Sequence, residues 1–329
     1  MLAPRRSVCH RCRITWNDPN TMRWNRLSDF LARVASAPIS WGICEVPGWG
    51  AMLPTRRVLQ EMSDLGFTAT ELGAPGFLPQ EPDAVKALLA EYGMTLTGGF
   101  TPIEPHEPSR RDATLAYART TARLLADSGA KLFITAAIMD PDWSVPRTLN
   151  AGEHRHLVET LALVDEICAE HGLVQVLHPH VQTLVETADD VNRILDTCDV
   201  NWCLDTGHLA IGGIDPVQFA KDAVERVGHV HLKDVRLDMV PAVLKREVPL
   251  KAATQAGLFT RLGQGDVDIA GVIQALEAAN YRGSYVIEQD TAIAGGVPAE
   301  GQGPGQEVRS SLTYLQDVVA PTLGQRVIA

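Results

Sequence analysis

The six residues "HVHLKD" (229–234) place two histidines, a lysine and an aspartate where an apolar stretch turns abruptly polar. In a strand, His229, His231 and Lys233 share one face, and Val230, Leu232 and Asp234 the other. Other apolar stretches end in the same way. Glu71 closes "FTATELG", His178 and His180 close "LVQVLHPH", Asp205 and His208 close "VNWCLDTGH", and Glu288 and Asp290 close "SYVIEQD". Taken singly, each has a plain structural role: a hydrogen-bonded histidine, an Asp-Thr-Gly turn, a helix cap, a rim charge. Taken together, four successive stretches ending in His, Asp, His and Glu cost several kcal/mol to bury without a partner. A divalent cation removes that cost. Mixed imidazole and carboxylate ligands suit Mn²⁺, Co²⁺, Zn²⁺ or Fe²⁺ better than Mg²⁺ or Ca²⁺.

The elements that position these residues follow from periodicity. Short apolar runs at 37–41, 67–73, 94–100, 130–138, 173–180, 200–208, 229–234 and 284–290 read as strands. Helical patterns follow them, at 54–66, 81–93, 109–128, 152–171, 187–198, 215–228, 268–283 and 304–319, with caps such as Thr187 and stops such as Gly66. Strands separated by helices pair in parallel, and eight such units close into a (β/α)₈ barrel. An open doubly wound sheet is the competing topology. It is disfavoured because no G-x-G-x-x-G loop follows the first strand and because the polar residues sit at many strand ends. In a barrel, those ends form one mouth.

The 329 residues carry a net charge of −11, which disfavours nucleic-acid partners. No apolar run is long enough to span a membrane. Residues 1–36 differ from the rest: seven arginines against two aspartates give +5, so residues 37–329 hold −16. That segment reads as a flexible extension, or as an over-long start with Met22 as the true one, ahead of a single barrel domain over 37–329. Cys9 and Cys12 have no second pair at zinc-site spacing, and the six scattered cysteines fit a reducing cytoplasm. The stretch 235–267 exceeds an ordinary connection and reads as an excursion over the mouth, either a lid or the contact of a homo-oligomer.

The chain resembles the xylose-isomerase-like TIM barrels. The resemblance runs through "APISWG" (37–42), "GFTATELG" (66–73), "HPHVQTLVET" (178–187), "LDTGHLAIGGIDP" (204–216), "HVHLKDVR" (229–236), "GLFTRLGQGDVD" (257–268) and "YRGSYVIEQD" (281–290). Within that family it is most similar to the branch that dehydrates inososes in inositol catabolism. The resemblance implies one divalent ion, Mn²⁺ or Co²⁺ foremost, on His178, Asp205, His231 and Glu288, with His180 as the alternative to His178. It also implies a small polyol or ketose substrate and loss of water through an enediolate. Glu71, His180, His208 and Lys233 are the candidate acids and bases, with Glu71 and His208 preferred. Trp41, Trp49 and Phe100 are candidates to stack on the substrate ring, and Arg236 to bind it; ordinary packing is as good a role for the aromatic three. Gln182-Thr183 stands where the branch carries Gly-Thr. The competing readings are a sugar or inosose isomerase using the same ion, a multi-metal phosphodiesterase, and a barrel without catalysis.

Overall fold

A computed structural model describes residues 26–323. Eleven strands appear: β1 (Val34–Ser36), β2 (Ala69–Thr70), β3 (Thr95–Leu96), β4 (Gly98–Ile103), β5 (Leu132–Ala137), β6 (Val174–Leu177), β7 (Asn201–Asp205), β8 (Val227–Leu232), β9 (Asp234–Val235), β10 (Phe259–Thr260) and β11 (Tyr285–Ile287). Nine of them form one parallel sheet in the order β3-β2-β1-β11-β8-β7-β6-β5-β4. The two ends of that sheet, β3 and β4, are consecutive pieces of one segment. Thr97 joins them, donating its N–H to Thr70 and accepting from Lys131, so the sheet closes on itself. The closed sheet with helices outside is the expected barrel, and it excludes the open doubly wound alternative.

The helices form where periodicity places them. Helix Ala188–Thr197 starts at Thr187, whose hydroxyl accepts the N–H of Asp190 while the Asp190 carboxylate accepts the N–H of Thr187. Its buried face is Val191 and Ile194. Helix Ala151–Glu170 has the same reciprocal cap from Asn150 and Glu153.

The first strand lies earlier than expected. Residues 38–41 form a 3-10 turn, begun at Pro38 and ended by Gly42 at φ 81°, while β1 is Val34–Ser36 and pairs with β11. Helix Arg26–Leu31 precedes it, and Phe30 packs edge-on against Tyr285. The boundary drawn at residue 36 therefore cuts into the barrel. The sequence signal was masked because β1 has only three residues, all buried, and so shows no alternation. Cys9, Cys12 and the Met22 start fall outside the described residues.

The excursion carries short helices Val240–Leu244 and Leu250–Gln255 and the antiparallel β9–β10 pair. Asp234 anchors it. Its carboxylate accepts the N–H groups of Gly263 and Gly265 at 2.9 Å, Val235 at 3.0 Å and Val267 at 3.1 Å. The Gly-Gln-Gly turn is the consequence, since a Cβ on Gly265 would sit 2.2 Å from Asp234 Oδ1. This is why Asp234 turns away from the mouth while Lys233 turns into it. Replacing Asp234 with Ala strands four backbone donors and should lower unfolding free energy by about 3 kcal/mol, read as a lower denaturation midpoint at unchanged slope.

Candidate active site

β8 delivers His229 and His231, and the next residue Lys233, on the face lining the barrel interior, as the alternation requires, and all three are buried. Glu71, just after β2, accepts from both histidines: His229 Nε2 at 2.7 Å and His231 Nε2 at 2.9 Å. Burial alone would raise the Glu71 carboxyl, but His231 and His229 outweigh it and hold it far below its ordinary value. Both lone pairs of Glu71 Oε1 are thus taken up by imidazole donors. Glu71 fixes the tautomer of His231, leaving Nδ1 bare.

That bare nitrogen faces two carboxylates. Glu288 Oε2 lies in contact with His231 Nδ1, and Asp205 Oδ2 is 3.7 Å from it. His178 Nε2 reaches the same Asp205 oxygen at 3.2 Å. Ligand atoms of Asp205, His231 and Glu288 all lie within 4.8 Å of one another. His178 Nδ1, His231 Nδ1 and Glu288 Oε2 are buried without hydrogen-bond partners. Acceptors packed this way repel unless a cation or a proton sits among them. Burial disfavours a charge on His231, yet Cys203, Glu288 and Glu71 raise its pKa well above the ordinary value. The donor set fits a divalent ion of the nitrogen-and-oxygen-binding kind.

Lys233 supplies the fixed positive charge. Its ammonium donates to His208 Nε2 and Asp290 Oδ1 at 2.8 Å and to Glu288 Oε1 at 3.1 Å, with Asp205 Oδ2 at 3.3 Å. Three protons meet three acceptors, so His208 Nε2 must be unprotonated. Gly207 is glycine for this reason: a Cβ there would meet Lys233 Cγ at 2.6 Å. Asp205 Oδ1 accepts the N–H of His208, which fixes the Asp-Thr-Gly-His turn.

Above this floor lies a cavity of about 290 Å³, near the lower end of small-ligand sites (about 300–1,000 Å³). Glu71, His180, His231, Glu288 and Asp290 reach its wall, along with Phe100, Trp49 and Trp143. His178, Asp205, His208 and Lys233 do not line it and are fully or almost fully buried. His208 is thus a buttress of Lys233. His180 faces the cavity instead. Its Nδ1 lies 2.6 Å from the Val181 carbonyl and must donate there, which leaves Nε2 as an acceptor. Burial first, then His178 and Lys233, lower its pKa to about 3, so it stays neutral.

Two expected substrate contacts fall elsewhere. Trp41 is fully buried and donates to Glu61 Oε2 at 2.8 Å on helix Thr55–Asp64, because the turn at 38–41 aims its indole into the helix layer. Arg236 is solvent-exposed and pairs with Asp238 at 3.5 Å, one residue past the point where β9 leaves the barrel axis. Residues not singled out in the sequence also line the cavity: Glu45 and Trp143, in the loops after β1 and β5, and Lys251 from the excursion. For Glu45 and Trp143, position after a strand was the available signal. Cys203, within β7, lies beside His178 and His231.

A model of the family described as xylose isomerase-like TIM barrel matches residues 59–318. The chain belongs to that family. It is 33% identical over 276 residues to an inosose dehydratase of Geobacillus kaustophilus, spanning 80% of this chain and 89% of that one. It is 32% identical over 277 residues to the rhizopine catabolism protein MocC of Rhizobium meliloti, spanning 81% and 84%. Among solved structures, the probable 3-DHS dehydratase AsbF of Bacillus anthracis superposes with a TM-score of 0.64 at 15% identity, covering 87% of this chain and 99% of that one. An L-ribulose 3-epimerase gives 0.64 at 16%, covering 90% and 99%. The chain is an enzyme of the hydro-lyase class. Among the described residues, no helix is long and apolar enough to cross a membrane.

Glu45 adds a further acid to the mouth. Burial, then Asp290 and Glu288, raise its pKa from 4.5 to about 7. The folded state therefore binds more protons than the unfolded one between those values, and stability falls as pH rises through that window. Glu45→Gln should be more stable than the parent by about 3 kcal/mol at pH 7.5, with the difference vanishing as pH falls below 4.5, measured by denaturant titration at each pH.

Proposed function

We propose that the protein removes water from a cyclic polyol ketone of the inosose type, using one divalent ion held by His178, Asp205, His231 and Glu288. The observation that supports this most is the convergence of ligand atoms of Asp205, His231 and Glu288 within 4.8 Å of one another, with His231 Nδ1 and Glu288 Oε2 lacking hydrogen-bond partners. Mn²⁺ and Co²⁺ suit that donor set, and a bound ion supplies Lewis-acid polarisation of the ketone and its neighbouring hydroxyl.

The chain's own residues carry the protons. His180 lines the cavity with Nε2 left as an acceptor, and it takes the proton α to the ketone. Asp290 lines the same cavity. Burial raises its pKa to about 6, with Lys233 working against that and Glu288 adding to it, so it is able to carry a proton near neutral pH. It donates that proton to the departing β-hydroxyl. Lys233 holds Asp290 and Glu288 in place, and Glu71 orients His231. Relative to the acid–base pair expected from sequence, Glu71 and His208 become positioning residues. Phe100, Trp49 and Trp143 exclude water and offer apolar faces to the C–H side of a ring. An acidic floor of Glu71, Glu288 and Asp290 repels phosphodiesters, which argues against the phosphodiesterase reading.

The test is a product assay. Purified protein with scyllo-inosose or myo-inosose and Mn²⁺ should give rising ultraviolet absorbance as the conjugated product forms, abolished by a chelator. His180→Gln should lower kcat by about 10²–10⁴-fold. A protein that holds the ion but isomerises the ketose without an absorbance rise would move the assignment to an isomerase.

A further inference from the structure

Four non-glycine residues among those described have a left-handed backbone: Trp143 at φ 55°, Gln182 at 68°, Arg246 at 59° and Asn280 at 61°. Three of these four belong to one hydrogen-bonded chain. Arg246, on the excursion, pairs with the buried carboxylate of Glu186 through Oε2. Glu186 Oε1 accepts the backbone N–H of Gln182 at 2.8 Å. The Gln182 side chain donates through Nε2 to the Trp143 carbonyl at 2.7 Å. The chain thus ties together the loops after β5 and β6 and the excursion over the mouth. Its far end is Trp143, a cavity wall whose ring lies 13° from parallel to Phe100 at 6.3 Å between centroids.

Strained backbone persists only where the surroundings over-determine it. At φ 68° glycine would be relaxed, so the backbone gives no reason for a glutamine at 182. The side chain is what does: its amide donates to the Trp143 carbonyl, while the Gln182 backbone N–H is held by Glu186. We propose that Gln182 is a positioning residue that sets substrate specificity, by fixing Trp143 as the wall against which a flat six-membered ring packs. The substrate part of this rests on the cyclic polyol ketone reading above; the positioning of Trp143 does not.

Gln182→Gly and Arg246→Ala break the chain at two places, the second away from the cavity wall. Each is made in protein labelled with 5-fluorotryptophan, with Trp143→Phe assigning the Trp143 resonance. In Gln182→Gly, loss of left-handed strain should leave the melting temperature no lower than the parent's, while the Trp143 fluorine resonance shifts or broadens. KM for inosose should rise about tenfold with kcat within about twofold, the pattern of lost uniform binding. Arg246→Ala should move the same resonance by less. An unmoved Trp143 resonance in both variants, or a moved resonance with unchanged KM, would overturn the proposal. Should the parent turn over no inosose, the proposed function fails, and the Trp143 resonance alone then decides the positioning role: movement supports it and constancy refutes it.

Discussion

The structure depends on a charge balance that water cannot supply. Glu71, Asp205, Glu288 and Asp290 converge inside the barrel, where an isolated ionised carboxylate is strongly disfavoured. Lys233 answers part of that charge with hydrogen bonds to Glu288, Asp290 and the His208 ring and with a third carboxylate, Asp205, close by. His231 answers another part, either protonated or turned with its lone pair to a cation. Much of the local sequence follows from keeping these groups in register. Gly207 makes room for the lysine stem, Asp205 caps the turn that holds His208, and Asp234 sends the chain outward as soon as Lys233 has been delivered.

This balance separates roles that residue type alone leaves mixed. A glutamate and a histidine beside a cluster of metal-ligand residue types are both reasonable bases. Hydrogen bonding distinguishes them: Glu71 is committed to two imidazoles, whereas His180, on the cavity wall, spends one nitrogen on a carbonyl and keeps the other as an acceptor. The same reasoning removes His208, whose Nε2 is consumed by Lys233. The cavity walls come from loops and the floor from strand ends, so a rigid sheet holds the chemistry while the loops shape what enters.

The barrel was legible because its strands and helices keep their periods, and the polar strand ends marked the mouth. "HVHLKD" showed its inward face directly, since His229, His231 and Lys233 alternate with residues that pack outward. β1 was displaced in the reading because a three-residue buried strand has no alternation to detect. Trp41 and Arg236 were misplaced because direction, not type, decides their contacts: a 3-10 turn aims one into the helix layer, and an exposed bend leaves the other in solvent. Glu45 and Trp143 sit in irregular loops, where sequence spacing fixes no side-chain direction. The tie from Arg246 to Trp143 joins residues about a hundred positions apart through backbone atoms, which no residue pattern encodes.

The most direct test of the central claim is a count of bound divalent ions per chain. Chelator-stripped protein and its Asp205→Asn variant are each equilibrated with Mn²⁺, gel-filtered and analysed for the element. The expected result is one Mn²⁺ per parent chain and none in the variant. A parent chain without Mn²⁺, or a variant that keeps the same single equivalent, would contradict the account.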